Sequence, residues 1–377
     1  MNGRVWFLAW ATVAFATAQE QKSTLKLDTG KEIFEAACAG CHGSDGRGQP
    51  QSILGFQPPA TFPDFADCPT ASPETDLQWK AVITGGGRIR GFSRIMPSFA
   101  DALTSEQIDK VVAFLRHKCD DSGYSLAEFN IPRPLIAEKA FPEKETVFSG
   151  TVNANGTGFS NTLLNEYRFG PRTNMELTVP FSFRTLPVGG STAPGAPQEW
   201  RGGIGDIAVE FKRRVYTNRK SKTLIAAASE FNFPTGSVAN GSGIGVFYPE
   251  PFISTEQLLP ARAFLFNQTG VRIPAGNSVP RRLFIRSGFG KTFAPDHGLG
   301  RAFSPMFEWV GQHDYTAGQR MAWDAVPQIQ VTISQRQHLR LNVGVRVPVN
   351  NYNNRPVQVA FYVLWDWFDG GLLEGWR

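Results

Sequence analysis

The stretch HLRLNVGVRVPVN, residues 338–350, alternates apolar and polar side chains without a break. Leucine or valine occupies every odd position from 339 to 349, and Arg340, Asn342 and Arg346 stand between them. A period of two is typical of a β-strand with one apolar face. Strands of globular proteins average about five or six residues, whereas a strand that crosses a bilayer needs about nine to eleven. This stretch therefore predicts a strand of membrane-spanning length.

The same period recurs through the second part of the chain. It is clear in MELTVPFSFR (175–184), DIAVEFKRRV (206–215) and VQVAFYVLWDWF (357–368). We count about ten to twelve such runs, separated by turns rich in Gly, Asn and Pro. They predict that residues 145–377 form an antiparallel outer-membrane-type β-barrel, with apolar residues facing lipid and polar residues facing the lumen. A soluble β-sandwich is the alternative, because it also alternates, although with shorter strands.

The N-terminus, MNGRVWFLAWATVAFATAQE (1–20), has the pattern of a secretory signal peptide. Arg4 precedes an apolar run that ends in small residues, which predicts a signal peptide over residues 1–18. About a dozen apolar residues are too few to span a bilayer comfortably as a helix. The pattern predicts export, so that every cysteine matures in an oxidising compartment.

Residues 24–121 show helical periodicity instead. LDTGKEIFEAACAGCHG (27–43) begins with a candidate N-cap, Asp28 or Thr29, and LTSEQIDKVVAFLRHKC (103–119) contains a capping box from Thr104 to Gln107. After them, residues 122–144 contain Pro132, Pro134 and Pro142, which discourage regular structure. We therefore predict a small all-α domain at 24–121 and a linker at 122–144.

The motif CAGCH, residues 38–42, allows three chemical interpretations. In the first, Cys38 and Cys41 attach a haem covalently and His42 binds its iron. A structural zinc site needs four ligands, and neither a second CxxC nor an HxxxH follows. A thioredoxin-like redox pair needs a βαβ setting, which the pattern lacks. The residues therefore favour haem c, one per chain.

A haem that carries electrons needs a second axial ligand, and Met96 is the methionine of the helical region. A lone Met is otherwise core filler, and His117 is the competing ligand, although its charged neighbours favour a surface role. The remaining cysteines, Cys68 and Cys119, are predicted to form a disulfide in an exported protein, with two free thiols as the alternative.

Residues 24–119 resemble a class I monohaem cytochrome c. The resemblance rests on GKEIFEAACAGCHGSDGRG as first helix and haem motif, MPSF as axial-methionine loop and LTSEQIDKVVAFLR as last helix. In that family a Gly and an aromatic residue of the first helix pack against the last helix, and Gly30, Phe34 and Phe114 stand in suitable places. The resemblance implies one-electron transfer and a periplasmic redox partner protein.

A weaker resemblance covers residues 145–377. GGIGDIAVEFKRRVY (202–216) and the surrounding strand rhythm are similar to outer-membrane channel-like proteins associated with phenol meta-cleavage pathways. One departure is the end of the chain, LLEGWR, where many barrels end on an aromatic residue. The resemblance implies an outer-membrane location.

Together these patterns predict an exported cytochrome tethered to an outer-membrane barrel, with its cytochrome domain in the periplasm. A channel for a small solute, with the cytochrome as redox gate or plug, is the alternative, and a haem enzyme such as a peroxidase is a third hypothesis. No catalytic triad, phosphate loop or paired-carboxylate motif rises above chance, so a non-catalytic carrier is favoured. The net charge of +5 without a basic block argues against nucleic acid as a partner.

Overall fold

The computed structural model describes residues 27–59, 62–190, 193–294, 302–352 and 355–367. The predicted signal peptide, residues 1–18, lies outside the described residues. Among the described residues, no helix is long and apolar enough to cross a membrane.

The N-terminal part is helical, as the sequence predicts. Its α-helices are α1 (Gly30–Ala37), α2 (Ala39–His42), α3 (Gln51–Leu54), α4 (Cys68–Ala71), α5 (Asp76–Gly85) and α6 (Ser105–Arg116). Short 3₁₀ segments lie at Gly87–Arg90, His117–Ser122 and Ala127–Phe129, and two more lie in the second part of the chain, at Val188–Gly190 and Pro260–Arg262.

Helices α1 and α6 form the core of this part. Thr29 caps α1 in a capping box with Glu32, and Thr104 caps α6 in a capping box with Gln107. Because each box satisfies free N–H groups at a helix start, both boundaries follow from local chemistry. The two helices bury a common apolar cluster, whose fully buried members are Ile33, Phe34, Ile83, Leu103, Ile108, Val111, Val112 and Leu115.

The second part consists of long antiparallel strands. They are β1 (Glu145–Asn153), β2 (Gly158–Phe169), β3 (Thr173–Pro187), β4 (Gln198–Ile204), β5 (Ala208–Asn218), β6 (Thr223–Asn232), β7 (Tyr248–Leu258), β8 (Ala263–Arg272), β9 (Arg282–Lys291), β10 (Phe303–Asp314), β11 (Ala322–Thr332), β12 (Leu339–Pro348) and β13 (Gln358–Asp366).

The sheet closes on itself into a barrel. The first strand, β1, pairs with the last, β13, from Glu145 opposite Asp366 to Asn153 opposite Gln358. The long strand β3 pairs with β5 through its first half and with β4 through its second half. Strands β4 and β5 therefore act as one strand interrupted at residues 205–207, and the ring has 12 strands. The predicted antiparallel barrel of about ten to twelve strands is confirmed, and the β-sandwich alternative is wrong because no open-edged pair of sheets forms in the described chain.

The barrel is apolar outside and polar inside. The outward face of β12 carries the exposed side chains of Val343, Val345 and Val347, and its inward face carries the buried side chain of Asn342. This is the alternation that the sequence predicts. On neighbouring strands, Phe289 is 58% exposed whereas Glu308 is 0% exposed. A soluble protein shows the reverse distribution, and this one is the distribution of an outer-membrane-type barrel.

Residues 123–144, here called the luminal segment, connect the helical part to β1 and run inside the barrel. Its N–H groups donate hydrogen bonds of 2.6–3.0 Å to side chains that point inward from the wall. The donors are the backbone amides of Leu135, Ile136, Ala137, Glu138 and Ala140, and the acceptors are Gln328, Glu308, Gln268 and Glu256. The segment predicted as a linker thus has its backbone satisfied by luminal side chains instead of by water.

A continuous line of carboxylates, here called the acidic row, winds along the lumen wall. Each member lies directly opposite the next across adjacent strands: Asp366, Glu145, Glu166, Glu176, Glu210, Glu230 and Glu250. With neighbouring strands about 4.8 Å apart, the row extends about 29 Å along the wall. It begins at Asp366, the last residue of β13, and ends at Glu250 near the start of β7, at the opposite end of the barrel.

Candidate functional site

The CAGCH motif consists of Cys38, which separates α1 from α2, and the four residues of α2. The N–H groups of Cys41 and His42 both donate to the carbonyl of Cys38, at 3.1 and 2.9 Å. Cys38 is half-buried, Cys41 is exposed, and His42 is 8% exposed. The motif therefore presents two thiols and one imidazole from five consecutive residues.

The imidazole of His42 lies among aromatic rings. It stacks on Phe62 with ring centroids 5.0 Å apart and contacts Phe65 at 5.2 Å. Burial lowers the pKa of His42 to about 4, so the ring is neutral at pH 7 and keeps a lone pair for a metal. Its Nδ1 atom is buried without a hydrogen-bond partner in the part of the chain that the structure describes. A buried, neutral and unpartnered imidazole nitrogen is the donor that an iron ligand requires.

The Cys38 thiol is protonated in this arrangement. Burial, with a smaller contribution from the neighbouring Cys41, raises the pKa of Cys38 to about 11. Protonated thiols are poor nucleophiles and poor zinc ligands, because both roles need the thiolate. Cys38 is therefore not poised as the nucleophile of a redox pair.

Met96 lies on a loop that is fixed to α5. Its carbonyl accepts a hydrogen bond of 3.1 Å from the N–H of Gly87, and Phe99 N–H donates to Ile83 at 3.0 Å. A Cβ added at Gly86, whose φ is +77°, would lie 2.9 Å from the Met96 carbonyl oxygen. A glycine at this position therefore allows the loop to approach the helix. The Met96 side chain is half-buried against the apolar cluster of α1 and α6.

His117, the competing ligand, lies at the other end of α6. Its side chain is 75% exposed and contacts the carboxylate of Asp120. It is the C-cap residue of α6, and its side chain does not border the apolar cluster around Met96. Cys68 and Cys119 form a disulfide that ties α4 to the 3₁₀ segment after α6, with Cα atoms 5.5 Å apart.

The helical part docks on one end of the barrel through its hydrogen bonds to strand ends and turns. Asp120 binds Arg219 at 2.7 Å, Pro69 accepts from Arg168 at 2.6 Å, and Gln78 binds Gln337 at 2.6 Å. These contacts surround the mouth through which the luminal segment enters. Sequence reasoning missed this interface, because nothing in the local pattern of these polar residues distinguishes a docking contact from a solvated surface.

The residues present fit a c-type haem. The two thiols directly precede a neutral imidazole with an unpartnered nitrogen, and a thioether lies against the same apolar cluster as Cys38. Cys38 and Cys41 would hold the porphyrin, and His42 and Met96 would offer an imidazole nitrogen and a thioether sulfur to its iron.

Comparison with protein families gives a match to the family described as cytochrome c over residues 27–118. A comparison with curated protein sequences gives no match.

Solved structures similar to this chain are membrane barrels. The KdgM porin is 9% identical, with 59% of this chain and 99% of that chain covered and a TM-score of 0.39. An outer membrane channel from Pseudomonas putida F1 is 14% identical, with 62% and 99% covered and a TM-score of 0.40. The β-domain of the Bordetella autotransporter BrkA is 12% identical, with 60% and 100% covered and a TM-score of 0.36. Residues 27–118 match the cytochrome c family, and the same chain continues into a 12-stranded β-barrel of outer-membrane type.

Proposed function

We propose that this chain is an exported c-type cytochrome that transfers single electrons while anchored to an outer-membrane barrel. The observation that carries the proposal is the buried, neutral His42 with an unpartnered ring nitrogen, directly after two thiols. When bound, one haem supplies a ferrous/ferric couple. Cys38 and Cys41 would hold it through their thiols, and His42 and Met96 would offer an imidazole nitrogen and a thioether sulfur to its iron.

The protein's own residues set the character of the site. Phe62 and Phe65 exclude water from the imidazole, and the fixed backbone around Gly87 holds the Met96 loop. A thioether ligand would raise the reduction potential, which suits an electron carrier. The donor and acceptor are redox partner proteins in the periplasm.

The lengths of the connections at the two ends of the barrel support a periplasmic location for the cytochrome domain. The chain enters β1 and leaves β13 at the end where the helical part docks, here called the docking end, and three turns at this end are short, at residues 170–172, 219–222 and 259–262. The opposite end carries the longer segments 188–197, 233–247 and 273–281, although it also has the short connection 154–157, and the docking end has the longer connection 292–302. Outer-membrane barrels have short periplasmic turns and long extracellular loops, and most of these connections support the proposal that the cytochrome faces the periplasm.

Replacement of Met96 tests the proposal. Purified Met96→Ala protein should have a lower midpoint potential and should bind an added small iron ligand that the parent protein excludes. His117→Ala is the matched control and should leave the spectrum and the potential unchanged. Haem that is extracted by acid-acetone, or a Met96→Ala protein with the parent potential, would contradict the proposed ligation.

The polar lumen favours a second candidate, a channel for a small solute with the cytochrome as gate or plug. In the described chain the luminal segment crosses this lumen, so passage requires that it moves. Conductance of the full chain in planar bilayers separates the two functions. Openings that depend on the redox state of the haem support a channel, and a permanently closed barrel supports an anchor.

A further inference from the structure

A cavity of about 880 Å³, here called the junction cavity, lies between the helical part and the docking end of the barrel. Residues 73–78 at the start of α5, residues 126–132 of the luminal segment and residues 258–264 at the turn between β7 and β8 line it. Its inner end reaches two luminal side chains of β11, Gln330 and Thr332, which are buried. Its volume is in the range of sites that hold small organic molecules, about 300–1,000 Å³.

The wall of the junction cavity contains both apolar and charged side chains. Phe129, Ile131 and Phe264 are buried in it and supply apolar surface. Three of its six Lys and Arg side chains lie in ion pairs, which are Lys80 with Asp109, Arg219 with Asp120 and Arg340 with Asp366. Its carboxylates are also engaged: Asp76 binds Arg116, Glu74 contacts His338, and Glu128 accepts the backbone N–H of Asp76.

The other three cations, Lys222, Arg262 and Arg336, have no carboxylate within ion-pair distance in the part of the chain that the structure describes. Arg262 donates one hydrogen bond to the carbonyl of Ala294, and the Arg336 guanidinium lies 4.9 Å from the centre of the Phe92 ring. The Nε atom of Arg336 is buried without an acceptor among the described residues. The wall therefore has an excess of positive charge and a buried donor that lacks its partner.

The backbone of the turns beneath these cations is strained. Among the described residues, five that are not glycine have a positive φ, and four of the five line the junction cavity. The four are Lys222, Ala261, Arg262 and Gln337, with φ of +55°, +56°, +59° and +66°. Glycine adopts this conformation at a lower cost, and strain of this kind concentrates at functional sites. Two of the three unpaired cations thus occupy positions where glycine would be easier to accommodate.

A groove of about 430 Å³ on the outer surface of the barrel adjoins the junction cavity. Arg262, Thr292 and Ala294 line both of them. In the groove Phe293 and Phe303 stack with ring centroids 5.0 Å apart, and both are exposed on the side that faces lipid. A molecule that enters the cavity by this route meets an apolar surface first and the cations afterwards.

We propose that the junction cavity binds a small organic anion with an apolar body, of the class of aliphatic carboxylates. Its carboxylate lies among Lys222, Arg262 and Arg336 and accepts the free Nε–H of Arg336, because hydrogen bonds between ionised groups are the strong ones. Its apolar body packs against Phe129 and Phe264. The sign of the charge decides which molecules bind, since the carboxylates of the wall already have partners.

Equilibrium dialysis of radiolabelled octanoate against the full chain in detergent tests this site, with the uptake by protein-free detergent subtracted. Octylammonium and 1-octanol carry the same apolar chain with the opposite charge and with no charge. We expect saturable binding of octanoate in preference to both. Arg262→Gln and Arg336→Gln should each weaken it about fivefold or more, because each removes one cation. Arg262 is exposed, so Arg262→Gln tests the site even if Arg336→Gln disturbs the contact with Phe92.

Arg172→Gln is the matched control. Arg172 is an exposed arginine on a turn at the same end of the barrel, outside the junction cavity, and its replacement should leave octanoate binding unchanged. The proposal is overturned if the parent protein shows no saturable binding up to about 10 mM octanoate, or if octylammonium binds as tightly as octanoate. Parent affinity in Arg262→Gln, or an equal loss in Arg172→Gln, also overturns it.

Discussion

Replacement of Arg133 by Met should destabilise the barrel strongly. The Arg133 guanidinium lies in the lumen, bound to Glu145 and Glu166 at 2.6 Å each and to Glu138 at 2.8 Å. Met keeps much of the side-chain volume but removes the charge and all three bonds. Glu145 and Glu166, both 0% exposed, would then keep negative charge without their main partner.

The size of the effect follows from that burial. Removal of one partner from a buried ion pair costs about 3–5 kcal/mol, because the charge left behind is not solvated. This corresponds to an increase of roughly two to three and a half orders of magnitude in the unfolding constant. Urea unfolding of the full chain in lipid vesicles, followed by tryptophan emission, measures it. Arg320→Met, on an exposed loop, is the control and should change stability by less than about 0.5 kcal/mol.

A double variant separates charge from packing. If the cost comes from the unpaired carboxylates, Arg133→Met combined with Glu166→Gln should be more stable than the sum of the two single changes predicts. The reasoning is refuted by a loss below about 1 kcal/mol in Arg133→Met, or by strict additivity in the double variant.

Three further changes probe the cytochrome domain. Gly30→Ala should lower the free energy of unfolding by about 1–3 kcal/mol, because the added Cβ would lie 1.9 Å from the Lys110 carbonyl oxygen on α6. Gly40→Ala is the control: its Cβ would meet nothing within 4 Å, so it should be neutral in the same urea unfolding assay. Cys119→Ser should cost about 2–4 kcal/mol, measured as the same loss that a reductant causes in the parent protein. The hydrogen bond from Arg219 holds the pKa of Asp120 below its ordinary value. The contact therefore stabilises the folded protein above the unfolded-state pKa of Asp120, and this contribution disappears as pH falls through the folded-state pKa. The free energy of unfolding should fall by less than about 1 kcal/mol between pH 7 and pH 3 because of this contact, and Asp120→Asn should abolish that part of the pH dependence.

Local chemistry predicts much of this structure. The capping boxes, the α6 stripe and the strand alternation depend on residues close together in sequence, and each lies where its pattern places it. The interruption in the long β4–β5 strand is also local, since Gly205 and Asp206 stand between its two halves. Met96 and His42, in contrast, are separated by more than fifty residues, and their common apolar surroundings become visible only in the folded domain.

The luminal segment could not be predicted in the same way. Its prolines correctly indicate irregular backbone, but irregular backbone is normally hydrated, and here its partners are Glu256, Gln268, Glu308 and Gln328 on four separate strands. The acidic row has the same origin. Each carboxylate occupies a polar, inward-facing position in the alternation of its own strand, which the sequence can predict. The alignment of all seven across the wall depends on the register between strands, which it cannot.

The luminal segment links the seam of the barrel to strands that lie away from it. It precedes β1 directly, and β1 pairs with β13, so the seam of the barrel joins the earliest and latest strands to be synthesised. Side chains of β7, β8, β10 and β11, none of which forms the seam, bind the segment that leads directly into β1. Through this segment, strands on the far side of the wall are coupled to the strand that closes the barrel.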